Sequence, residues 1–167
     1  MDEFSAKILK RAMGEEVVPR KPRRDPADHW PQALLLERAA YLRKMAKLGN
    51  GAASETLRSY PQHAALLSFR SRNGEAEVHE RFADHFYVLA GAATLALGGT
   101  VAGARNIAPG ETRGDAIEGG QRQELRAGDM IHVPAGMPHQ MLVAGDTSIT
   151  CFVLKVQEEP QNLSLNR

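Results

Sequence analysis

Four of the six histidines, His79, His85, His132 and His139, stand close to the carboxylates Glu77, Glu80, Asp84 and Asp129. Imidazole with carboxylate is the donor set that a divalent first-row metal takes. In the segment Glu77-Val78-His79-Glu80-Arg81-Phe82-Ala83-Asp84-His85, Glu77 and His79 share one face if the chain is a strand, because side chains alternate with period two. A turn over 80–83 brings Asp84 back beside them from the next strand. A distant strand carrying His139 completes a four-residue constellation. The same residue types also make ordinary surface pairs, so spacing alone does not decide between the two. The single cysteine, Cys151, excludes an internal disulfide and a cysteine-only zinc site. Lying in the run Ile149-Thr-Cys-Phe-Val-Leu154, it is expected to be buried and inert. No nucleophile-elbow pattern suggests Ser-His-Asp hydrolysis.

The elements that must position these groups follow from the periodicity. The chain has 167 residues and a net charge of +1, enough for one domain with an extension. The charge is unevenly spread: residues 1–50 hold 11 Lys/Arg against 7 Asp/Glu, and residues 51–167 hold 10 against 13. Near-neutrality argues against a dedicated nucleic-acid binder. No apolar run approaches the ~20 residues of a membrane span, and the start of the chain lacks a signal-peptide core. A cytoplasmic protein is expected.

Helix signals are confined to the first fifty residues. Phe4, Ile8, Leu9 and Ala12 make a short apolar stripe. Pro19, Pro22 and Pro26, set among basic residues, predict an extended surface linker. After Pro31, the residues Leu35, Ala39, Leu42 and Ala46 predict an amphipathic helix that stops at Gly49-Asn50-Gly51. Beyond residue 51 the period shortens. Strands are predicted at 54–58, 64–70, 75–79, 85–90, 92–97, 100–105, 122–125, 129–133, 138–143 and 148–156, with turns at Gly91, Gly98-Gly99 and Gly145-Asp146. Many short strands with regular turns predict an all-β sandwich or barrel. The Gly-rich stretch 108–120 is expected to be a surface loop. It has no Walker lysine and no following helix, so it is not a phosphate loop. The expected organisation is a helical, basic extension over 1–50, a β-barrel over 51–160 and a tail over 161–167.

The segment from Gly128 to His139 carries more information. Gly128, Pro134, Gly136 and His139 match in type and spacing the second motif of the cupin superfamily, Gly-x5-Pro-x-Gly-x2-His-x3-Asn. Val143 stands where the Asn would be. The first cupin motif, Gly-x5-His-x-His-x3–4-Glu-x6-Gly, is matched more loosely. With Gly91 as its last glycine, Asp84 takes the Glu position, His79 the second His and Glu77 the first. A second register puts His79 at the first His position and Arg81 at the second, where an arginine cannot ligate a metal. A bulge at Ala83 would turn His85 inward instead. The resemblance covers roughly residues 55–156.

The resemblance implies an antiparallel jelly-roll barrel around a ligand cavity, with one divalent metal ion held by Glu77, His79, Asp84 and His139. With two carboxylates in that set, Mn, Fe or Zn is expected over Cu. It also implies a metal-dependent enzyme of oxygenase or isomerase type acting on a small molecule. The alternative is a non-catalytic cupin that binds or senses one. No nucleic-acid or membrane partner is expected, and the apolar helix before residue 50 suggests a homodimer. His132, between Ile131 and Val133, lines the cavity or caps a core hydrogen bond. Asp129 is expected to hold turn amides, and Met130, Met137 and Met141 to fill the core or cavity wall.

Overall fold

The computed structural model describes residues 27–158. The first apolar stripe and the proline-rich linker lie outside them. Helix α1 (Gln32–Leu48) begins after Pro31, whose carbonyl accepts from Leu35 N at 3.1 Å. It ends where Gly49 N and Gly51 N both donate to Ala46 O, at 3.2 and 3.0 Å. Its buried face is Leu35, Arg38, Ala39, Leu42 and Ala46, the periodic face read from the sequence plus one arginine. That face packs on Leu67 and Phe69. Arg38 is tolerated there because its guanidinium forks onto the Glu55 carboxylate, which satisfies a buried charge.

Among the described residues, twelve strands follow: β1 (Ala52–Ser59), β2 (His63–Arg70), β3 (Ala76–His79), β4 (Phe82–Leu97), β5 (Thr100–Ala102), β6 (Arg105–Ala108), β7 (Glu111–Gly114), β8 (Ala116–Glu118), β9 (Gln121–Arg126), β10 (Met130–Val133), β11 (His139–Leu142) and β12 (Ile149–Gln157). The main sheet runs β1-β2-β12-β4-β11-β3-β7-β6, with β9 and β10 also on β4, while β5 and β8 form a separate pair. The pairings are antiparallel. The sheet curls into a jelly-roll barrel, with α1 against the outside of β1 and β2.

Two predicted strands, 85–90 and 92–97, are one: β4 continues through Gly91, which is no turn. Gly91 has φ +81°, and a Cβ there would stand 1.9 Å from Ser148 O. Only glycine fits. The first half of β4 pairs with β12 and β10, the second with β11 and β9, so the bend at Gly91 passes the strand from one side of the barrel to the other. Gly91→Ala is expected to destabilise the protein by about 2 kcal/mol or more, read from urea unfolding of the metal-free protein.

The stretch 108–120 also differs from expectation. It contains β7 and β8, because Gly110, Gly119 and Gly120 take positive φ and supply the turns between short strands.

Alternation divides the strands between two cores. On β2, Ala65, Leu67 and Phe69 are buried, with Leu67 and Phe69 in the cluster under the helix, while Leu66, Ser68 and Arg70 face the barrel cavity. On β12, Ile149, Cys151, Val153 and Lys155 face that cavity, and Phe152 packs on the helix side against Trp30. This is the period-two rule of a sheet covered on both faces. No described helix is long and apolar enough to cross a membrane.

Candidate metal centre

Three strands deliver the candidate ligands. β3 carries Glu77 and His79, β4 carries Asp84, and β11 carries His139. The register places His139 and Arg113 (β7) directly opposite Glu77 on its two sides. It sets Glu111 opposite His79 and Lys155 opposite Asp84. Directly opposed residues share a face, so one inner patch collects all of these groups. Pro134 and Gly136 lead the chain from β10 into β11, and Gly136 N donates to His79 O at 2.8 Å, tying the second motif to the first.

The ligand atoms of Glu77, His79 and His139 lie within 4.8 Å of one another. His79 Nε2 is 3.2 Å from Glu77 Oε2. Asp84 Oδ2 is 3.5 Å from both His79 Nε2 and His139 Nε2. The opposite ring nitrogens are already engaged: His79 Nδ1 meets Glu111 Oε2 at 2.6 Å, and His139 Nδ1 meets Met137 O at 3.1 Å. Outer partners of this kind orient each ring with Nε2 towards the cavity, where a neutral imidazole would offer its lone pair. Asp84 Oδ1 is buried without a hydrogen bond, although Lys155 Nζ lies 2.8 Å away as a charge contact. Two imidazoles and one or two carboxylates are a donor set that fits a divalent ion. Loss of the outer partner is expected to weaken such binding about tenfold. A metal titration of Glu111→Gln checks this.

Lys155 also reaches His79, its Nζ 2.8 Å from Nε2. Burial lowers the pKa of His79, but hydrogen bonds to Asp84 and Glu77 outweigh that and raise it to about 9, against the opposing charge of Lys155. Burial raises the Asp84 carboxyl, yet His139, His79 and Lys155 hold it well below the usual carboxylate range. Burial acts the same way on Glu77, and His79, Arg113 and His139 hold it down to about 2.

A depressed carboxyl contributes its stability in full above the unfolded value, 4.5 for Glu77, and loses it as pH falls from there towards 2. Glu77→Gln is therefore expected to flatten the acid limb of metal-free stability. Melting temperatures between about pH 5 and about pH 2.5 measure it, and an unchanged slope contradicts the assignment.

Glu77, Asp84 and His139 line a cavity of about 290 Å³ with Arg70, Arg113 and Lys155. Its remaining wall is Leu66, Phe86, Leu95, Met141, Ile149, Cys151 and Val153, with Ser54 and Ser68 as hydroxyls. Cys151 is buried, and burial pushes its thiol up to about 12, which keeps it inert at neutral pH.

The other histidines fall elsewhere. His85 and His132 are register partners on β4 and β10 and stack at 4.4 Å. They lie on the outer face: the neighbouring Asp84 and Phe86 take the inward positions, and His132 is exposed beside Glu158 at 3.4 Å. The expectation that His132 lines the cavity or caps the core is corrected accordingly, and no bulge turns His85 inward. Met130 is likewise 71% exposed rather than in the wall. Asp129 accepts from Arg126 N at 2.7 Å, as expected of a turn residue.

Glu111, Arg113, Arg70 and Lys155 were missed in the sequence. Lys155 could have been found, since it continues the inward series Ile149, Cys151, Val153. Glu111 and Arg113 could not, because the strand that carries them lies in a stretch that reads as loop.

The fold is an antiparallel jelly-roll barrel with this side-chain cluster at its cavity. A family model described as "Cupin domain" matches residues 110–155, the stretch that holds the second motif. Over that stretch the chain is similar to a cupin domain.

Similar solved structures include TT1209 from Thermus thermophilus, at TM-score 0.52 and 16% identity over 73% of this chain and 93% of that one. The Schizosaccharomyces pombe Cnp3 cupin domain matches at TM-score 0.48 and 11% identity over 64% of this chain. The match spans 65% of that domain's chain, just under two thirds. Streptomyces Pac13, solved with uridine, matches at TM-score 0.47 and 13% identity over 65% and 72% of the two chains. It is described as a nucleoside dehydratase. The likeness to TT1209 is one of fold alone. No curated protein matches the chain in sequence.

Proposed function

We propose that this cupin is a metal-dependent enzyme that holds one divalent ion, Mn, Fe or Zn, on Glu77, His79 and His139 with Asp84 and acts on a small molecule in the barrel. One observation carries the reading. Both histidines have Nδ1 committed, to Glu111 Oε2 and Met137 O, so both Nε2 atoms converge with Glu77 at a cavity of about 290 Å³. A bound ion would polarise a substrate oxygen or offer an open position for a small ligand, as oxygenase and isomerase chemistry both require. The chain supplies the rest. Leu66, Leu95 and Val153 give the cavity an apolar wall. Lys155 Nζ, at 2.8 Å from His79 Nε2, is placed to give or take a proton there.

Loading with Mn(II) and measuring water-proton relaxation tests the enzyme reading. Enhanced relaxation reports an open, water-filled position, as a catalytic site needs. A bound ion without enhancement contradicts it.

A second reading, a metal-free binding or sensor cupin, is favoured by the Lys155 ammonium beside His79 and Asp84. It predicts that the same protein takes up no Mn(II) at all.

We further take the working form to be a cytoplasmic homodimer. Tyr87 and Met130, cross-strand neighbours that are 41% and 71% exposed, support the association. A monomer by light scattering contradicts it.

A further inference from the structure

The cluster at the cavity is electrically balanced. Three carboxylates, Glu77, Asp84 and Glu111, face three cationic groups, Arg70, Arg113 and Lys155. Arg113 Nη1 lies 3.2 Å from Glu77 and 3.6 Å from Glu111, and Arg70 Nη2 lies 3.9 Å from Glu77. His79, in contact with Lys155, adds no negative charge in either of its forms.

A divalent ion brings two more positive charges to a place where His79, Asp84 and His139 are each 4% exposed or less. Uncompensated charge at a buried position is costly. Among the described residues, the acidic groups that line the cavity are Glu77 and Asp84, and both are already in the count. A ligand that brings negative charge would relieve that cost.

The cavity has receptors for it. The Arg70 and Arg113 side chains are 30% and 21% exposed, so they stand at the open end, within reach of an entering molecule. A guanidinium fork takes a carboxylate or phosphate through two parallel hydrogen bonds. Behind them the wall is apolar, with Leu66, Leu95, Met141, Ile149 and Val153. That favours an organic body over an inorganic anion. The volume, about 290 Å³, is at the small end of ligand pockets.

Resting on the metal reading above, we infer that the ligand of this cavity is a small organic carboxylate taken up together with the ion, its anionic end received by Arg70 and Arg113 and its apolar body by the barrel wall. Metal and carboxylate then strengthen each other's binding, because each carries the charge the other lacks.

Calorimetric titration tests this with zinc and benzoate, using benzyl alcohol and inorganic phosphate for comparison. Benzoate is expected to bind the zinc-loaded protein at least tenfold more tightly than the metal-free protein. It should also bind more tightly than either comparison compound. Arg113→Met and Arg70→Met should each weaken benzoate about tenfold while zinc affinity is kept or rises. Arg113→Lys, which keeps the charge and loses the fork, should fall between, with zinc binding as the sign that the site is intact. Benzoate binding that matches benzyl alcohol, ignores zinc or survives both arginine substitutions overturns the inference. Phosphate binding as tightly as benzoate overturns its organic part. A parent protein that takes up no zinc overturns the metal reading and this inference together, and the zinc titration alone reveals that case.

Discussion

His139→Ala and His79→Ala are each expected to lower affinity for a divalent ion by more than a hundredfold, to the point where neither variant retains metal through purification. Three groups, Glu77, His79 and His139, bring ligand atoms within 4.8 Å of one another, and three protein ligands are what an open divalent site uses. Removing an outer partner costs roughly 10–100-fold, and a direct ligand exceeds that. His139 enters its strand behind Pro134 and Gly136, with Nδ1 held by Met137 O. Alanine leaves that backbone intact, so the loss should be one of binding and not of folding. Circular dichroism and melting of the metal-free variants verify this. For His79→Ala the same holds with one difference. Lys155 and Glu111 lose a shared partner, so metal-free stability should fall as well.

The second large effect has the opposite sign. Lys155→Met is expected to raise metal affinity by about a hundredfold, which is ~2.7 kcal/mol. Lys155 Nζ lies 2.8 Å from His79 Nε2 and 2.8 Å from Asp84 Oδ1, so it competes for the atoms that a metal ion needs. Two unit charges 4 Å apart interact by ~4 kcal/mol at an effective dielectric of ~20, and a divalent ion doubles that. The lysine is not fixed in place: its side chain is 28% exposed, and it can swing to the open end. Part of the repulsion is relieved, and what remains is the lost Lys155–Asp84 attraction and a residual field. Methionine keeps the stem that packs in the wall and removes the charge. Isothermal titration of Mn(II) or Zn(II) into both proteins gives the ratio. Equal or weaker affinity in the variant would mean that the ammonium supports the site, not competes with it.

These two predictions also show where sequence reading reached and where it stopped. The buried face of α1 was legible in Leu35, Ala39, Leu42 and Ala46, because amphipathic spacing records burial directly. Glu77, His79, Asp84 and His139 were legible as a group, since strand alternation and the second motif both constrain them, and the structure brings all four together. Gly91 was misread. A glycine between two apolar runs marks a turn or a bend within one strand equally well, and only Ser148 O at 1.9 Å from a hypothetical Cβ decides it. His132 was misread because alternation does not say which face is inward until a partner strand is known; opposite His85 it faces out. Glu111 and Arg113 became visible only through the β3–β7 register, a long-range pairing with no local signature in a Gly-rich stretch. The same register puts an arginine opposite Glu77 and so makes the site nearly neutral, which composition could not show.

The central claim is that the barrel holds a divalent ion on these residues. Elemental analysis of the purified protein, after refeeding with Mn, Fe(II) and Zn, tests it most directly. The account predicts one equivalent of metal per chain in the parent, and none in His79→Ala or His139→Ala. A parent that stays metal-free after refeeding, or variants that keep the metal, would contradict it.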